Sequence, residues 1–153
     1  MRSLVIGGVI LLIGLVLFGG GCSRYNSFID ADENIENAWS KVQSAYQRRA
    51  DLIPNLVNTV KGIAEFEQKT LTEITNARAK ATNITIDPSN ITPDQLAAFQ
   101  KAQSGLSSSL GRLLAVSENY PELKANQSFL ELQTQLESTE NRIKVERDRF
   151  NDQ

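Results

Sequence analysis

From Ile35 onward, apolar residues recur at alternating spacings of four and three: Ile35, Trp39, Val42, Tyr46, then Ile53, Leu56, Val60, Ile63, then Ile74, Ala77 and Ala81. A helix turns once in about 3.6 residues, so this spacing keeps every member on one side of it; a half-buried strand would need a period of two. Ala38, Ala45, Leu52, Val57, Ala64 and Leu71 widen the stripe beyond a two-position seam. A face that wide suits a bundle better than a two-stranded coiled coil. The chain has 153 residues, which bounds it to one compact domain. The fold class is all-α.

The stripe stops at TNITIDPSNITPDQ, residues 82–95. This segment is polar and β-branched, carries Pro88 and Pro93, and reads as a loop. Its end has the chemistry of a helix start. Thr92 can cap the first turn, Pro93 needs no N–H there, Asp94 faces the positive dipole end, and Gln95 completes a capping box. The next stripe follows (Leu96, Phe99, Leu106, Leu110, Leu113), then a break at SENYPELKAN, residues 117–126, and a last stripe of Phe129, Leu132, Leu136, Ile143 and Phe150. Asn83, Asn90 and Asn126 begin N-x-S/T triplets, but Asn and Thr are ordinary loop and cap residues, and no function is assigned to them.

The segment RRADLIPNL, residues 48–56, decides the topology. Unbroken, residues 24–81 would form a helix of about 87 Å, while helices near 93–116 and 127–153 would span only about 36 to 41 Å. A turn near Ala50-Asp51 instead gives four helices of similar length, approximately 24–49, 52–81, 93–116 and 127–153, in an up-down antiparallel four-helix bundle. Arg48 and Arg49 would then oppose the negative end of one helix, Asp51 would cap the next, and Pro54 would fall in its first turn. The alternative is one long kinked first helix with two shorter helices packed on it. It is favoured by a four-three spacing that runs through 49–53 without a slip, and by the lack of a glycine to end a helix there.

Residues 1–23 form a separate unit. From Leu4 to Phe18 no side chain is polar, and Gly19-Gly20-Gly21 follow. The run is close to the roughly 17 to 25 residues needed to span a bilayer core as a helix. It reads as a retained single-pass anchor. A lipoprotein-type signal with Cys22 as the lipidation candidate is the second reading, although Gly19 stands where an aliphatic residue is usual; ordinary secretion is the third. Lys/Arg asymmetry across the run is about one charge, and it leans toward residues 24–153 lying outside the cytoplasm.

Chemistry is limited by what the chain lacks. There is no histidine, which removes the commonest general base, metal ligand and pH switch, and the single cysteine allows no internal disulfide. No HExxH, CxxC, GxSxG or phosphate-cradling glycine loop occurs. Carboxylates such as Glu65, Glu67, Glu73, Glu131, Glu137 and Glu140 flank the stripes and read as a solvated surface. A di-metal bundle site would need inward Glu-x-x-His. No metal or other cofactor is expected, and the chain reads as non-enzymatic. Net charge is −2 with no basic stripe, which disfavours nucleic acid.

The block AWSKVQSAYQRRADLIPNLVNTVKG, residues 38–62, closely resembles the signature of the bacterial LemA family. Its marks are Ala38-Trp39, Arg48-Arg49, Asp51 to Val57, and Val60 to Gly62. The block YPELKANQSFLELQTQLESTENRIKVERDRFN, residues 120–151, resembles the family's C-terminal motif, and Tyr25-Asn26 after the apolar run also fits. The resemblance implies a single-pass or lipid-anchored bacterial membrane protein with a four-helix bundle and no established molecular function. Family members usually continue some tens of residues past the segment that ends here at Asn151, and Gly21-Cys22 is not general among them, so lipidation is not carried over.

The resulting expectation is a membrane-anchored module of the cell envelope that contacts the lipid bilayer and docks an envelope protein, as an interaction or scaffold component. Arg48, Arg49, Asp51, Pro54 and Asn55 are the candidate interaction residues. The alternative is a self-assembling structural protein, in which copies of the chain form homo-oligomers.

Overall fold

The computed structural model describes residues 2–62 and 66–152, with the side chains of residues 2–6, 9–32 and 89 outside the description. Described residues form α1 (Arg2–Lys61), α2 (Gln68–Thr82), a 3₁₀ turn (Pro88–Asn90), α3 (Pro93–Ser117), the single-turn α4 (Pro121–Lys124) and α5 (Gln127–Asn151). No strand occurs among them. The molecule is all-α.

The turn expected near Ala50-Asp51 does not form, and the helices expected at 24–49 and 52–81 are not separate there. α1 continues through both arginines and Pro54 to Lys61, 60 residues or about 90 Å. Two local facts explain this. Pro54 removes the N–H that would bond the carbonyl of Ala50 four residues earlier, a loss that ordinarily costs about 3 kcal/mol in a helix interior. Arg78 of α2 supplies the missing donor: its Nε–H bonds Ala50 O at 2.7 Å. The helix ends later, at Lys61, whose charge opposes the negative end of the dipole. α2 is accordingly only 15 residues long. The alternative of one long first helix thus matches the course of α1.

The bundle engages α1 from Trp39 to Val60. Trp39 meets Phe150 and Arg49 meets Glu140, so α1 and α5 run in opposite directions. Arg112 bonds Glu73 and Gln103 bonds the carbonyl of Ala81, so α2 and α3 are also antiparallel. The helices bury two apolar clusters. One joins Ile53, Leu56 and Val60 of α1 to Leu71 and Ile74, Leu106 and Leu113, Leu123, and Phe129 and Leu136. The other joins Trp39, Val42 and Tyr46 to Ile86, Phe99 and Ile143. In the second, Trp39 stacks on Phe99 and Phe150 at 5.5 and 5.1 Å, and Tyr46 meets Phe99 edge-on at 5.1 Å. Such contacts add about 0.5–1.5 kcal/mol each beyond area burial. The Trp39 indole N–H is buried without an acceptor among the described residues.

Helix ends follow their local chemistry. The capping box forms at α3: Thr92 Oγ1 accepts from Gln95 N and Gln95 Oε1 from Thr92 N, both at 3.2 Å. Asn126 caps α5 by accepting from Phe129 N at 3.0 Å. The segment between α3 and α5 is not all loop; α4 turns inside it and buries Leu123 completely.

Among the described residues no helix is long and apolar enough to cross a membrane. The side chains of residues 9–32, on which most of the anchor expectation and the Cys22 lipidation expectation rest, lie outside the described residues.

Candidate functional site

The stripe along α1 has one polar member between the two clusters. In the series Val42, Tyr46, Arg49, Ile53, Leu56, Val60, every residue is buried and Arg49 is 1% exposed. An arginine so placed must satisfy its donors internally. Its Nη1 donates to Ser107 Oγ at 2.6 Å and to both oxygens of Glu140 at 2.9 and 3.2 Å. Its Nη2 donates to Gln103 Oε1 at 2.7 Å and to the Gln103 carbonyl at 3.2 Å. Gln103 passes the network on, donating from Nε2 to Ala81 O at 3.2 Å. One guanidinium therefore ties α1 to α3 and α5, and Gln103 extends the tie to the end of α2. Of the Arg49 donor groups, the Nε–H alone lacks an acceptor among the described residues.

Tyr46 lies one turn below. The Arg49 guanidinium sits 5.1 Å from its ring centroid, a cation–π contact, and Arg147 lines the same cleft between α3 and α5. Burial pushes the Tyr46 phenol above its usual range, even though Arg147 and Arg49 pull it down.

The candidate interaction residues divide between two faces of α1. Arg49 points into the core and is unavailable to a partner, a correction to its reading as an end-of-helix charge. Arg48, Asp51, Pro54 and Asn55 are exposed. Asp51 accepts from Gln47 Nε2 at 2.8 Å within the helix, as a surface pair rather than an N-cap. Arg48, Asp51 and Asn55 line an open groove of about 850 Å³, together with Gln43, Gln47 and Thr85 from the segment after α2. A second groove, of about 900 Å³, runs between α2 and α3 past Ala77, Ala102 and Gly105. A smaller cleft of about 350 Å³ opens between α3 and α5 directly over Arg49. No group of three or more Cys, Asp or Glu able to hold a metal occurs among the described residues.

Gln103, Ser107 and Glu140 were not legible as site residues from their own positions. Arg49 was: it falls in register on the four-three stripe, and an in-register arginine predicts buried polar partners on the facing helices.

The model of the LemA family matches residues 38–153. Protein LemA of Metamycoplasma hominis is 32% identical over 134 residues, covering 88% of this chain and 57% of that protein. Magnetosome protein MamQ of Magnetospirillum gryphiswaldense is 26% identical over 145 residues, covering 84% of this chain and 53% of that protein. Magnetosome protein MamQ 2 of Paramagnetospirillum magneticum matches to the same extent. The chain spans a little over half the length of these curated relatives.

Proposed function

We propose that this chain, which belongs to the LemA family, is a membrane-associated, non-enzymatic docking module of the bacterial cell envelope. In this reading residues 1–23 hold it to the bilayer, as a span or through lipid on Cys22, with the rest of the chain outside the cytoplasm. The lower half of α1, α2, α3 and α5 act as an up-down four-helix bundle that presents one face to an envelope protein.

One observation carries the reading: the family's most specific motif has two faces with different chemistry. The inner residues, Arg49, Ile53 and Leu56, hold the helices together. The outer residues, Arg48, Asp51 and Asn55, make no side-chain bond across helices among the described residues, yet share one polar groove with Gln43 and Gln47. Amides beside one charge of each sign suit a polar polypeptide surface, and such interfaces bury about 800 Å² per partner.

Photo-crosslinking tests it. A crosslinker at Gln47 or Asn55 is expected to give a discrete adduct in intact cells, lost when Arg48→Glu and Asp51→Arg reverse the rim charges. The same probe at Glu137, on α5, is expected to give none. Equal labelling at all three positions, or no adduct at the groove, would refute the docking role. An adduct of twice the chain mass would select the self-assembling alternative.

A further inference from the structure

The cleft between α3 and α5 has an unusual charge balance. Arg49 forms its floor, 1% exposed, and Arg147 of α5 stands at its wall. Tyr46 lines the same cleft, with the Arg49 guanidinium over the face of its ring and the Arg147 charge near enough to act on its phenol. Only Glu140 answers these two charges: it pairs with Arg49, and among the described residues no carboxylate forms an ion pair with Arg147. Lys144 and Asp148 line the adjoining hollow on α5, one charge of each sign, and add no net charge beside the cleft. One positive charge is left over in a partly desolvated cleft, where attraction for an anion exceeds its value in water.

The other wall is built of donors. Gln100, Ser104 and Ser108 of α3 line it, and their amide and hydroxyls can turn to face an anion. The volume, about 350 Å³, lies at the small end of the range for ligand sites.

We propose that this cleft binds a phosphate group, gripped by Arg147 and the α3 hydroxyls and drawn in by Arg49. A planar carboxylate, Glu140, already occupies the Nη1 edge of Arg49. The remaining donors come from two different helices, which fits a tetrahedral anion with several acceptor oxygens better than a second planar one. Glu140 is 51% exposed, so its carboxylate can turn out to water and yield its place. It acts as a tethered competitor, and it sets the affinity.

The test uses the full chain in a non-ionic detergent, titrated calorimetrically with sodium phosphate against sodium chloride at matched ionic strength. Wild type is expected to bind phosphate weakly, Glu140→Gln at least 10-fold more tightly, and Arg147→Gln at least 10-fold less tightly. Ser104→Glu, at an exposed position, is expected to abolish binding by placing a second carboxylate in the cleft. Circular dichroism checks that each variant is folded; Arg147 and Ser104 are both exposed, so these two keep the test decisive even if Glu140→Gln unfolds. Tighter binding of glycerophosphoglycerol than of inorganic phosphate assigns the site to a lipid headgroup, and the reverse order to a free phosphate. Equal responses to phosphate and chloride in wild type and Glu140→Gln, or unchanged binding in Arg147→Gln, overturn the proposal.

Discussion

Replacing Arg49 with alanine separates two physical accounts of the same residue. If Arg49 were the last charged residue of a short helix, its loss would remove only a dipole interaction, about 0.3–1 kcal/mol. In the structure it is a buried hub. Its removal leaves the buried Gln103 Oε1 without its donor, at about 1–3 kcal/mol. It deletes the cation–π contact with Tyr46, about 0.5–1 kcal/mol, and leaves a hole where the side-chain stem packed. Breaking a buried pair costs about 3–5 kcal/mol when the abandoned partner is also buried. Glu140 is half-exposed and regains water, so the lower end applies: about 3 kcal/mol. At a urea slope of about 2 kcal/mol/M, the unfolding midpoint falls by about 1.5 M. The assay is urea unfolding of the detergent-solubilised chain, followed by helicity, with Arg48→Ala as the exposed control, expected within about 0.5 kcal/mol of wild type. A further variant sharpens the logic. Arg49→Met with Gln103→Leu removes both ends of the network and refills the space with apolar side chains, and is expected to be near neutral or more stable. A loss below about 1 kcal/mol in Arg49→Ala, or equal losses in Arg48→Ala and Arg49→Ala, would refute the buried-hub account.

Two further outcomes follow from the same geometry. Arg78→Ala is expected to cost about 1–3 kcal/mol, because it orphans the Ala50 carbonyl; in a Pro54→Ala background the restored N–H at position 54 takes over that carbonyl, and the cost should fall below about 1 kcal/mol, which a double-mutant cycle in urea measures. The raised phenol of Tyr46 favours the protonated folded state, so its contribution is fully present below pH 10.0, the unfolded value, and is lost as pH rises through the higher folded value. The stability advantage of wild type over Tyr46→Phe is therefore expected to shrink as pH rises above 10.0, and an advantage that grows there would reverse the assigned sign.

What the sequence made legible was whatever is set by short-range chemistry. Helix type followed from the four-three spacing, and the start of α3 from Thr92, Pro93 and Gln95, because a capping box needs only residues three apart. The topology around Pro54 was not legible in that way. The local reading weighed a missing N–H against a helix and chose a turn. The decisive donor, Arg78, sits 28 residues downstream of the Ala50 carbonyl on another helix, and nothing near Pro54 announces it. The length argument misled for a related reason. It took the stripe as continuous to Ala81, although Lys61-Gly62 carries the ordinary marks of a helix end. The candidate site was half legible: the motif located the right stretch of α1, but the partition of its residues between core and surface depends on the three helices packed around it.

The polar layer at Arg49 has a consequence for the bundle's register. An apolar residue there, with Gln103 made apolar as well, is expected to stabilise about as much, so stability alone does not account for the polar layer. Sliding α1 one turn along α5 would set Tyr46 or Ile53 opposite Glu140 and push Arg49 among Leu or Ile side chains, with no acceptor for its five N–H donors. An apolar stripe by itself tolerates such a slip at modest cost, since one aliphatic layer resembles the next. A single buried arginine with partners on two other helices does not tolerate it, much as one buried polar residue fixes register in a coiled coil. The fixed register in turn sets which residues face outward. With Arg49 locked on Gln103 and Glu140, Arg48, Asp51 and Asn55 must lie along the opposite side of α1, beside the segment that follows α2. The core layer and the groove are thus two faces of one constraint, and a variant that loosens the first is expected to scatter the second even where no groove residue has been changed.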